Sequence, residues 1–262
     1  MIIDSHQHVL VNHDYQLQYN KQCGIEKVIL FPTVVHPEKA SDKKSFLHEM
    51  DRLQKILNGE INPYEARITA IKELVVAIAL APDFYIGFAP CPSSMDYKAT
   101  EDWIENYIVK NNLRGIGELT FGNGNVPYIE NIFRCIHDHN YDLPLWIHTF
   151  DPLSLSDIRE ITDLAHKYPS TKVIMGHGGG RYWMETIDLV KKQKNIYIDM
   201  SASYTVFSLK FIAQELPEKG IFSSDFPYGD PFHDIFRIEH LIKDRSIREN
   251  ILGTNVRQLL KL

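Results

Sequence analysis

The stretch IIDSHQHV (2–9) begins with apolar, strand-forming residues and ends with two histidines separated by one residue. In a β-strand, residues i and i+2 point to the same side, so His6 and His8 converge at the carboxyl end of a strand that starts here. A single His-x-His motif is a weak signal on its own. The rest of the chain decides whether the pair belongs to a metal site.

Seven further short apolar runs of similar composition follow along the chain. They are KVILFPT (27–33), YIGFAPC (85–91), RGIGELTF (114–121), LPLWIHTF (143–150), KVIMGHGGG (172–180), IYIDMSA (196–202) and GIFSSDFP (220–227). From the third run onward they start about 25–30 residues apart, the length of one strand–loop–helix–loop unit. Eight such units predict an α/β protein with a closed (β/α)8 TIM barrel. A doubly wound open sheet is the alternative, because periodicity cannot show closure.

Helical segments separate these runs. In YIENIFRCIHDH (128–139) and LSDIREITDLAHKY (155–168), apolar residues recur at three- and four-residue spacing, which is typical of amphipathic helices. Ser154 or Ser156 is expected to cap the second of these helices.

The interval 34–84, between the second and third strands, is longer than the others. Within it, residues 43–82 predict two helices broken near Asn58-Gly59, with Asn62-Pro63 opening the second. One helix is the normal crossover, so the other is an insertion. Because this connection leaves the carboxyl end of the second strand, we expect it to be part of a lid over the mouth or a subunit contact. No linker divides the chain, so we predict a single domain, 1–262.

Composition restricts the class of protein. The 262 residues are 44% hydrophobic and 24% charged, as in ordinary globular proteins. The net charge of −6 disfavours a nucleic-acid partner, and the longest apolar stretch, ELVVAIALAP (73–82), is too short to span a bilayer. The first predicted strand begins at Ile2 and shows no signal-peptide pattern. Together with the three widely spaced cysteines, this favours a cytoplasmic location.

Groups that bind metals stand at the ends of four more predicted strands. Glu118 ends RGIGE, His148 ends LPLWIH, His177 ends KVIMGH and Asp225 ends GIFSSD. Barrel active sites lie at the carboxyl ends of the strands, and imidazole and carboxylate are the usual ligands of a divalent metal such as zinc. For one residue alone, a hydrogen-bonded histidine or a capping acid is the alternative. Six groups at the ends of five strands, however, predict a metal centre.

The remaining histidines lack this pattern. His137 and His139 also form His-x-His, but at the end of a predicted helix, where i and i+2 diverge by about 200°. We expect them to be solvated or to favour the helix end. Four others are expected to be structural: His36, His48, His166 and His240. The last two, His13 and His233, follow strands one and eight and could line the mouth.

Four motifs, DSHQH, WIHTF, VIMGHGGG and FSSDFPYGDP, together resemble the amidohydrolase superfamily, and within it the amidohydrolase-2 branch of metal-dependent hydrolases and decarboxylases. The carboxyl-terminal ILGTNVRQLLKL resembles the closing helix of that branch, so the resemblance runs from Ile3 to Leu260. It implies a (β/α)8 barrel. It also implies metal ligands at His6, His8, His148 and Asp225. His177 is implied as a ligand of a second metal or as a catalytic residue beside a single one.

Glu118 bears on the number of metals. GIGEL (115–119) resembles the fourth-strand glutamate of two-metal branches such as the TatD-type deoxyribonucleases and the phosphotriesterase-like hydrolases. The single-metal decarboxylases tend to lack an acid there, so Glu118 favours two metals. The alternative is a carboxylate that orients a ligating histidine.

These residues favour a hydrolase in which a metal-activated water, with Asp225 as its base, attacks a small-molecule amide, lactone or ester carbonyl. Non-oxidative decarboxylation of an aromatic or enoic acid is the second hypothesis, and one ion rather than two would favour it. A TatD-type nuclease is disfavoured by the acidic net charge. A non-enzymatic metal-binding protein is disfavoured because it would not need Asp225.

Substrate-binding residues are predicted at the mouth. Arg181 follows the glycines of GHGGGRYW (176–183) and could pair with a substrate carboxylate, while a solvent-facing arginine is the alternative. Tyr228 and Trp183 could also line the mouth. We expect a small-molecule substrate and no nucleic-acid or membrane partner. A homodimer, formed through segment 34–84, is a further hypothesis.

Overall fold

Eight parallel strands, in sequence order around the sheet, form a (β/α)8 barrel in the part of the chain that the computed structural model describes, residues 1–57 and 60–262. They are β1 Ile3–His8, β2 Lys27–Phe31, β3 Tyr85–Ala89, β4 Gly115–Leu119, β5 Leu145–His148, β6 Val173–Gly176, β7 Ile196–Asp199 and β8 Gly220–Ile221. A parallel bridge between Gln7 and Phe226 joins β1 to the segment after β8. The TIM barrel predicted from the sequence is therefore confirmed, and the doubly wound alternative is wrong.

Helices lie between the strands. Within the described residues they are α1 His13–Gln22, α2 Lys43–Leu57, α3 Pro63–Leu80, α4 Tyr97–Trp103, α5 Glu130–Asp138, α6 Leu155–Lys167, α7 Trp183–Lys192, α8 Val206–Glu215, α9 Pro231–Leu241, α10 Arg245–Glu249 and α11 Asn255–Leu260. Short π-helical stretches, Ile104–Val109 and Asn250–Thr254, continue α4 and join α10 to α11. No helix of the described ranges is long and apolar enough to cross a membrane.

Capping residues fix where two of these helices begin. Ser154 caps α6 in a capping box, since its side chain accepts from the Asp157 amide while the Asp157 carboxylate accepts from the Ser154 amide. Asn62 caps α3, and Pro63 occupies the first helical position, where a missing N–H costs nothing. The predicted break at Asn58-Gly59 lies outside the described residues.

The core has two layers. One surrounds the strands and packs them against the helices. The other fills the barrel with Ile3, Phe31, Phe88 and Trp146, and α11 closes its amino-terminal end with Val256, Leu259 and Leu260. Trp146 is fully buried, and its ring centroid lies 4.2 Å from that of His6. Buried aromatic side chains inside the barrel therefore pack directly beneath the residues at the carboxyl ends of the strands.

Segment 34–84 starts beside the carboxyl end of the barrel. The backbone N–H of Val11, in the loop after β1, donates to Glu38 Oε1 at 3.1 Å, and Glu38 Oε1 also lies 3.1 Å from His36 Nδ1. These contacts hold the beginning of the segment against the first βα loop. That the segment covers the mouth or meets another subunit stays a prediction.

Candidate metal centre

The six predicted ligands meet at one end of the barrel. His6 and His8 converge from β1 with ring centroids 4.9 Å apart, and His177 lies 5.6 Å from His6 and 4.7 Å from His148. Asp225 Oδ1 lies 3.3 Å from His8 Nε2 and 3.7 Å from His6 Nδ1. Residues from five strands or strand ends therefore form one cluster.

Glu118 lies at the centre of this cluster. Its Oε2 is 3.8 Å from Nε2 of both His6 and His8. Its Oε1 is 2.7 Å from His148 Nδ1 and 3.4 Å from His177 Nε2. The potential ligand atoms form two trios, His6–His8–Glu118 and Glu118–His148–His177, each with its atoms within 4.8 Å of one another. Both trios share Glu118.

Two of the predicted ligands lie beyond the strands that precede them. β6 ends at Gly176 and β8 at Ile221, earlier than the runs 172–180 and 220–227 predict, and His177 and Asp225 both have φ of 58°, in the left-handed region. This conformation is unfavourable for residues with a side chain and is typical of functional sites. Hydrogen bonds fix Asp225, whose N–H donates to His6 O at 2.8 Å and whose carbonyl accepts from Tyr228 N at 2.8 Å.

The loop after His177 requires glycine. Gly178, Gly179 and Gly180 all have positive φ, and a Cβ on Gly179 would lie 2.0 Å from Thr186 Oγ1. The glycines therefore let this loop pack closely against α7 next to the ligand.

The histidines fit a divalent cation. In the described part of the chain, His6 Nδ1, His6 Nε2 and His8 Nδ1 are buried without a hydrogen-bond partner. Burying a polar nitrogen in this state is costly, and a cation coordinated by its lone pair would offset that cost. Imidazole nitrogen with carboxylate oxygen is a donor set that suits zinc and other first-row divalent metals.

Electrostatics prepare these groups for a cation. Burial lowers the pKa of His6 to about 3, although Asp225 and Glu118 act against it. Burial acts to raise the pKa of Glu118, but hydrogen bonds from His148 and His177 outweigh it and hold that pKa well below its usual value. Burial likewise acts to raise the pKa of Asp225, and His6 and His8 lower it. Both carboxylates are therefore ionised at neutral pH.

A buried network that the sequence analysis missed orients His177. Ser201 Oγ lies 2.9 Å from His177 Nδ1 and donates to Asp199 Oδ1 at 2.5 Å. Asp199 also accepts from the His177 backbone N–H at 3.0 Å. Because the only hydroxyl hydrogen of Ser201 goes to Asp199, Ser201 Oγ is the acceptor for Nδ1–H, and this bond directs Nε2 of His177 at Glu118 Oε1, 3.4 Å away. Asp199 is the last residue of β7 and a polar residue within the predicted run 196–202, so the strand-end pattern could have identified it.

The predicted substrate residues lie around this cluster. Arg181 Nη2 is 2.6 Å from Asp151 Oδ1, with both side chains about half exposed, and Asp151 O is 3.0 Å from His148 Nε2. The Tyr228 ring meets that of His8 edge-on at 5.7 Å. Trp183 instead stacks on Phe211 of α8 at 6.0 Å. The roles of Arg181 and Tyr228 stay predictions.

The histidines outside the predicted ligand set contact other groups. His137 Nδ1 lies 3.2 Å from Ser170 Oγ, and His139 Nε2 lies 2.8 Å from Glu101 Oε1. His36 contacts Glu38 and Glu73, and His233 is largely exposed beside Asp230. None of these is among the six side chains of the central cluster. His13, the first residue of α1, has a buried Nδ1 for which no partner is found in the described ranges.

The fold and the cluster define the class: a (β/α)8 barrel with imidazole and carboxylate ligands for a divalent metal at the carboxyl ends of its strands. The model of the amidohydrolase family, of the amidohydrolase-2 type, matches residues 3–262, so the chain belongs to this enzyme family. The family resemblance of the sequence motifs is thereby confirmed. No curated protein matches the chain.

Several solved structures share the fold. 2,6-Dihydroxybenzoate decarboxylase from Rhizobium is 15% identical with a TM-score of 0.69, over 99% of this chain and 98% of that one. Dihydroxybenzoic acid decarboxylase from Polaromonas, with bound manganese and 2-nitroresorcinol, is 17% identical with a TM-score of 0.66, over 100% and 97%. A probable 2-pyrone-4,6-dicarboxylic acid hydrolase from Acinetobacter baumannii is 14% identical with a TM-score of 0.61, over 100% and 99%.

The family and the cluster together support a divalent metal. Zinc itself stays a prediction, since two structural relatives hold manganese.

Proposed function

We propose that the protein is a metal-dependent hydrolase that uses an activated water to attack the carbonyl carbon of a small amide, lactone or ester. The observation that carries the proposal is the position of Glu118, which lies within 3.8 Å of a nitrogen of each of four histidines. A carboxylate shared by two trios suits a pair of cations. Paired cations about 3.5–4 Å apart are a recurring arrangement in hydrolytic enzymes.

The trios assign the ligands. His6, His8 and Glu118, with Asp225 3.3 Å from His8 Nε2, would hold one cation, which we propose to be zinc. Glu118, His148 and His177 would hold the second. When bound, such cations supply a water that loses its proton near neutral pH and an electrophile for the substrate oxygen.

Asp225 supports this chemistry as the general base. Its pKa is lowered by His6 and His8 against the effect of burial, so it is ionised and able to accept a proton. It stands beside His8, where a water held by the cluster is within reach. Asp225 takes the proton of the attacking water at Oδ and returns it to the leaving group. Tyr228 and Arg181, around the cluster, are proposed to orient the substrate.

Decarboxylation of an aromatic or enoic acid is the second candidate. The structural relatives that decarboxylate dihydroxybenzoates, one of them with manganese, favour it. The shared position of Glu118 between the two trios makes us prefer hydrolysis. The proposal also includes a small-molecule substrate and a cytoplasmic location.

The experiment counts metal ions and identifies the product. Protein purified without chelators is analysed for metal per chain, and esters, lactones, amides and aromatic acids are screened in ¹⁸O-labelled water. We expect two ions per chain, ¹⁸O in the acid product, and one ion with little turnover in Glu118→Gln, which keeps the shape but loses the charge. One ion per chain with release of CO2 would instead establish the decarboxylase. Two ions retained in Glu118→Gln would contradict a bridging role.

A further inference from the structure

Exposed aromatic side chains are concentrated on two neighbouring helices. Of the five phenylalanines that are exposed in the described residues, four lie on α8 and α9: Phe207, Phe211, Phe232 and Phe236. Three more large apolar side chains nearby are also exposed: Met184, Tyr204 and Val206. The exposed fraction in this group of seven ranges from 42% for Phe211 to 61% for Phe236. We call these seven residues the α8–α9 face.

The exposed phenylalanines occupy equivalent positions on two helices that are in contact. Phe207 and Phe211 are the second and sixth residues of α8, and Phe232 and Phe236 are the second and sixth residues of α9. Residues four apart lie on the same side of a helix. The two helices follow successive strands and pack against each other. Trp183 of α7, stacked on Phe211, extends the face on the other side.

The face is large enough for a stable interface. With about 200 Å² for a fully exposed aromatic side chain, the seven residues leave roughly 700 Å² of side-chain surface exposed. Monomeric proteins seldom expose a contiguous apolar patch of more than a few hundred Å². A specific interface of standard size covers about 800 Å² on each partner.

We propose that the α8–α9 face is the contact between two copies of this chain in a two-fold symmetric dimer. Its aromatic and methionine side chains are those enriched at the centre of protein interfaces. Charge argues against a lipid surface, because α7, α8 and α9 carry five acidic residues against four Lys or Arg. Two of those four are paired: Arg237 with Asp234 at 2.7 Å, and Lys191 with Glu215. An anionic membrane would require a basic excess.

The position of the face relates the dimer to the candidate metal centre. In a (β/α)8 barrel, a helix that follows a strand begins near the carboxyl end of that strand. Phe207 and Phe232, near the start of α8 and α9, therefore lie toward the end of the barrel where Asp225 and Tyr228 stand. The face is distinct from segment 34–84, the subunit contact expected from the sequence.

The test compares two matched pairs of substitutions in the full-length protein. Phe207→Glu/Phe236→Glu alters the α8–α9 face, and Val76→Glu/Leu80→Glu alters a similarly exposed apolar pair on α3, within segment 34–84. Sedimentation velocity and light scattering are measured over a range of concentrations, with far-UV circular dichroism to verify folding. We expect a wild-type dimer, an unchanged control, and a dimer dissociation constant raised at least about 100-fold in the first variant.

Three results would overturn the proposal. They are a wild-type monomer at high concentration, a dimer that persists in the Phe207/Phe236 variant, and a dimer lost only in the Val76/Leu80 variant, which would place the interface in segment 34–84. If the wild type is monomeric and cosediments with vesicles of phosphatidylcholine and phosphatidylglycerol, the face binds lipid instead. Should the double glutamate variant not fold, Phe236→Ser is measured in the same assays and decides in the same way.

Discussion

Ser224 Oγ donates a 2.6 Å hydrogen bond to Asp4 Oδ2, and the Ser224 backbone N–H donates to Asp4 Oδ1 at 3.0 Å. Both residues are fully buried, and the bonds cross the seam between the first strand and the segment after the last one. Asp4 lies two residues before His6, and Ser224 immediately precedes Asp225. This pair therefore holds the predicted ligands His6 and Asp225, which are far apart in the sequence, next to each other.

We predict that Ser224→Ala weakens metal binding by roughly 10- to 100-fold, the usual effect of removing a group that supports a ligand. Metal titration by calorimetry measures the change. The control is Ser208→Ala, which removes a buried hydroxyl bonded to Thr205 O on α8 and is expected to leave metal affinity unchanged. Equal metal affinity in Ser224→Ala and the wild type would show that the seam does not position the ligands.

Replacing His6 or His8 by alanine is expected to remove metal and activity together, because both imidazoles contribute to the same trio. Metal content is measured after dialysis against metal-free buffer. The matched control is His137→Ala/His139→Ala, which removes the other His-x-His pair and should leave metal content as in the wild type. Full occupancy in the His6→Ala/His8→Ala protein would refute the site.

Asp225→Asn is expected to keep at least one cation and to lose most turnover. Asparagine preserves the shape and one oxygen, but it cannot accept a proton at neutral pH. Loss of a general base typically costs 10²–10⁴-fold in rate, or about 3–5.5 kcal/mol of activation free energy. A general base contributes more than about tenfold in rate. If the variant holds metal and retains more than about a tenth of wild-type kcat, Asp225 is therefore a ligand only.

Ser201→Ala should disturb the ligand His177 without touching the substrate. It removes the acceptor of the His177 Nδ1–H, so that Nε2 is no longer fixed toward Glu118. We expect a lower affinity for one of the two cations and a changed visible spectrum of the cobalt-substituted protein, with recovery in Ser201→Thr. Ser203→Ala, whose hydroxyl donates to Met200 O, is the control. A wild-type cobalt spectrum in Ser201→Ala would exclude this positioning role.

Asp234 gives a pH-dependent prediction away from the metal centre. Burial raises its pKa from 3.8 to about 6, although Arg237 at 2.7 Å lowers it. A carboxyl whose pKa is raised by folding adds stability when protonated, and this contribution is lost as the pH rises from about 4 through 6. Asp234→Asn stays neutral, so its free energy of unfolding relative to the wild type should increase between pH 4 and 7, by about 2 kcal/mol.

Denaturant unfolding of both proteins at several pH values measures this difference. Asp102→Asn, which removes an exposed partner of Lys98, is the control and should show no such slope. If Asp234→Asn is less stable than the wild type at pH 7, the ion pair with Arg237 outweighs the cost of burial.

The strands, and the clustering of the polar residues at their ends, were predictable because each leaves a local signal. A buried parallel strand is a short apolar run, and a polar residue at its carboxyl end, such as His148 or Glu118, is conspicuous against that background. The same signal made the predicted strands β6 and β8 longer than the strands in the structure. The left-handed backbone of His177 and Asp225 depends on hydrogen bonds such as that from the Asp225 N–H to His6 O, and a local sequence pattern does not contain that contact.

Other features depend on pairs of residues that are distant in sequence. The pairing of Arg181 with Asp151, 30 residues earlier, was not predicted from the sequence, and the expected contact of Arg181 with a substrate carboxylate stays a prediction. Ser201 supports His177 from 24 residues away. Such partners are determined by which loops the closed barrel brings together, so they follow from the fold and not from the spacing of motifs.

The seam between Asp4 and Ser224 has a consequence for biosynthesis. The two residues are 220 positions apart, so His6 and His8 leave the ribosome long before Asp225 is translated. A nascent chain therefore carries its first two imidazoles without the carboxylate that completes the set, and the barrel can close only once Phe226, which bridges to Gln7, has been synthesised. Metal loading with all six groups thus cannot precede the synthesis of residue 225, and a chain released before that point lacks the proposed base.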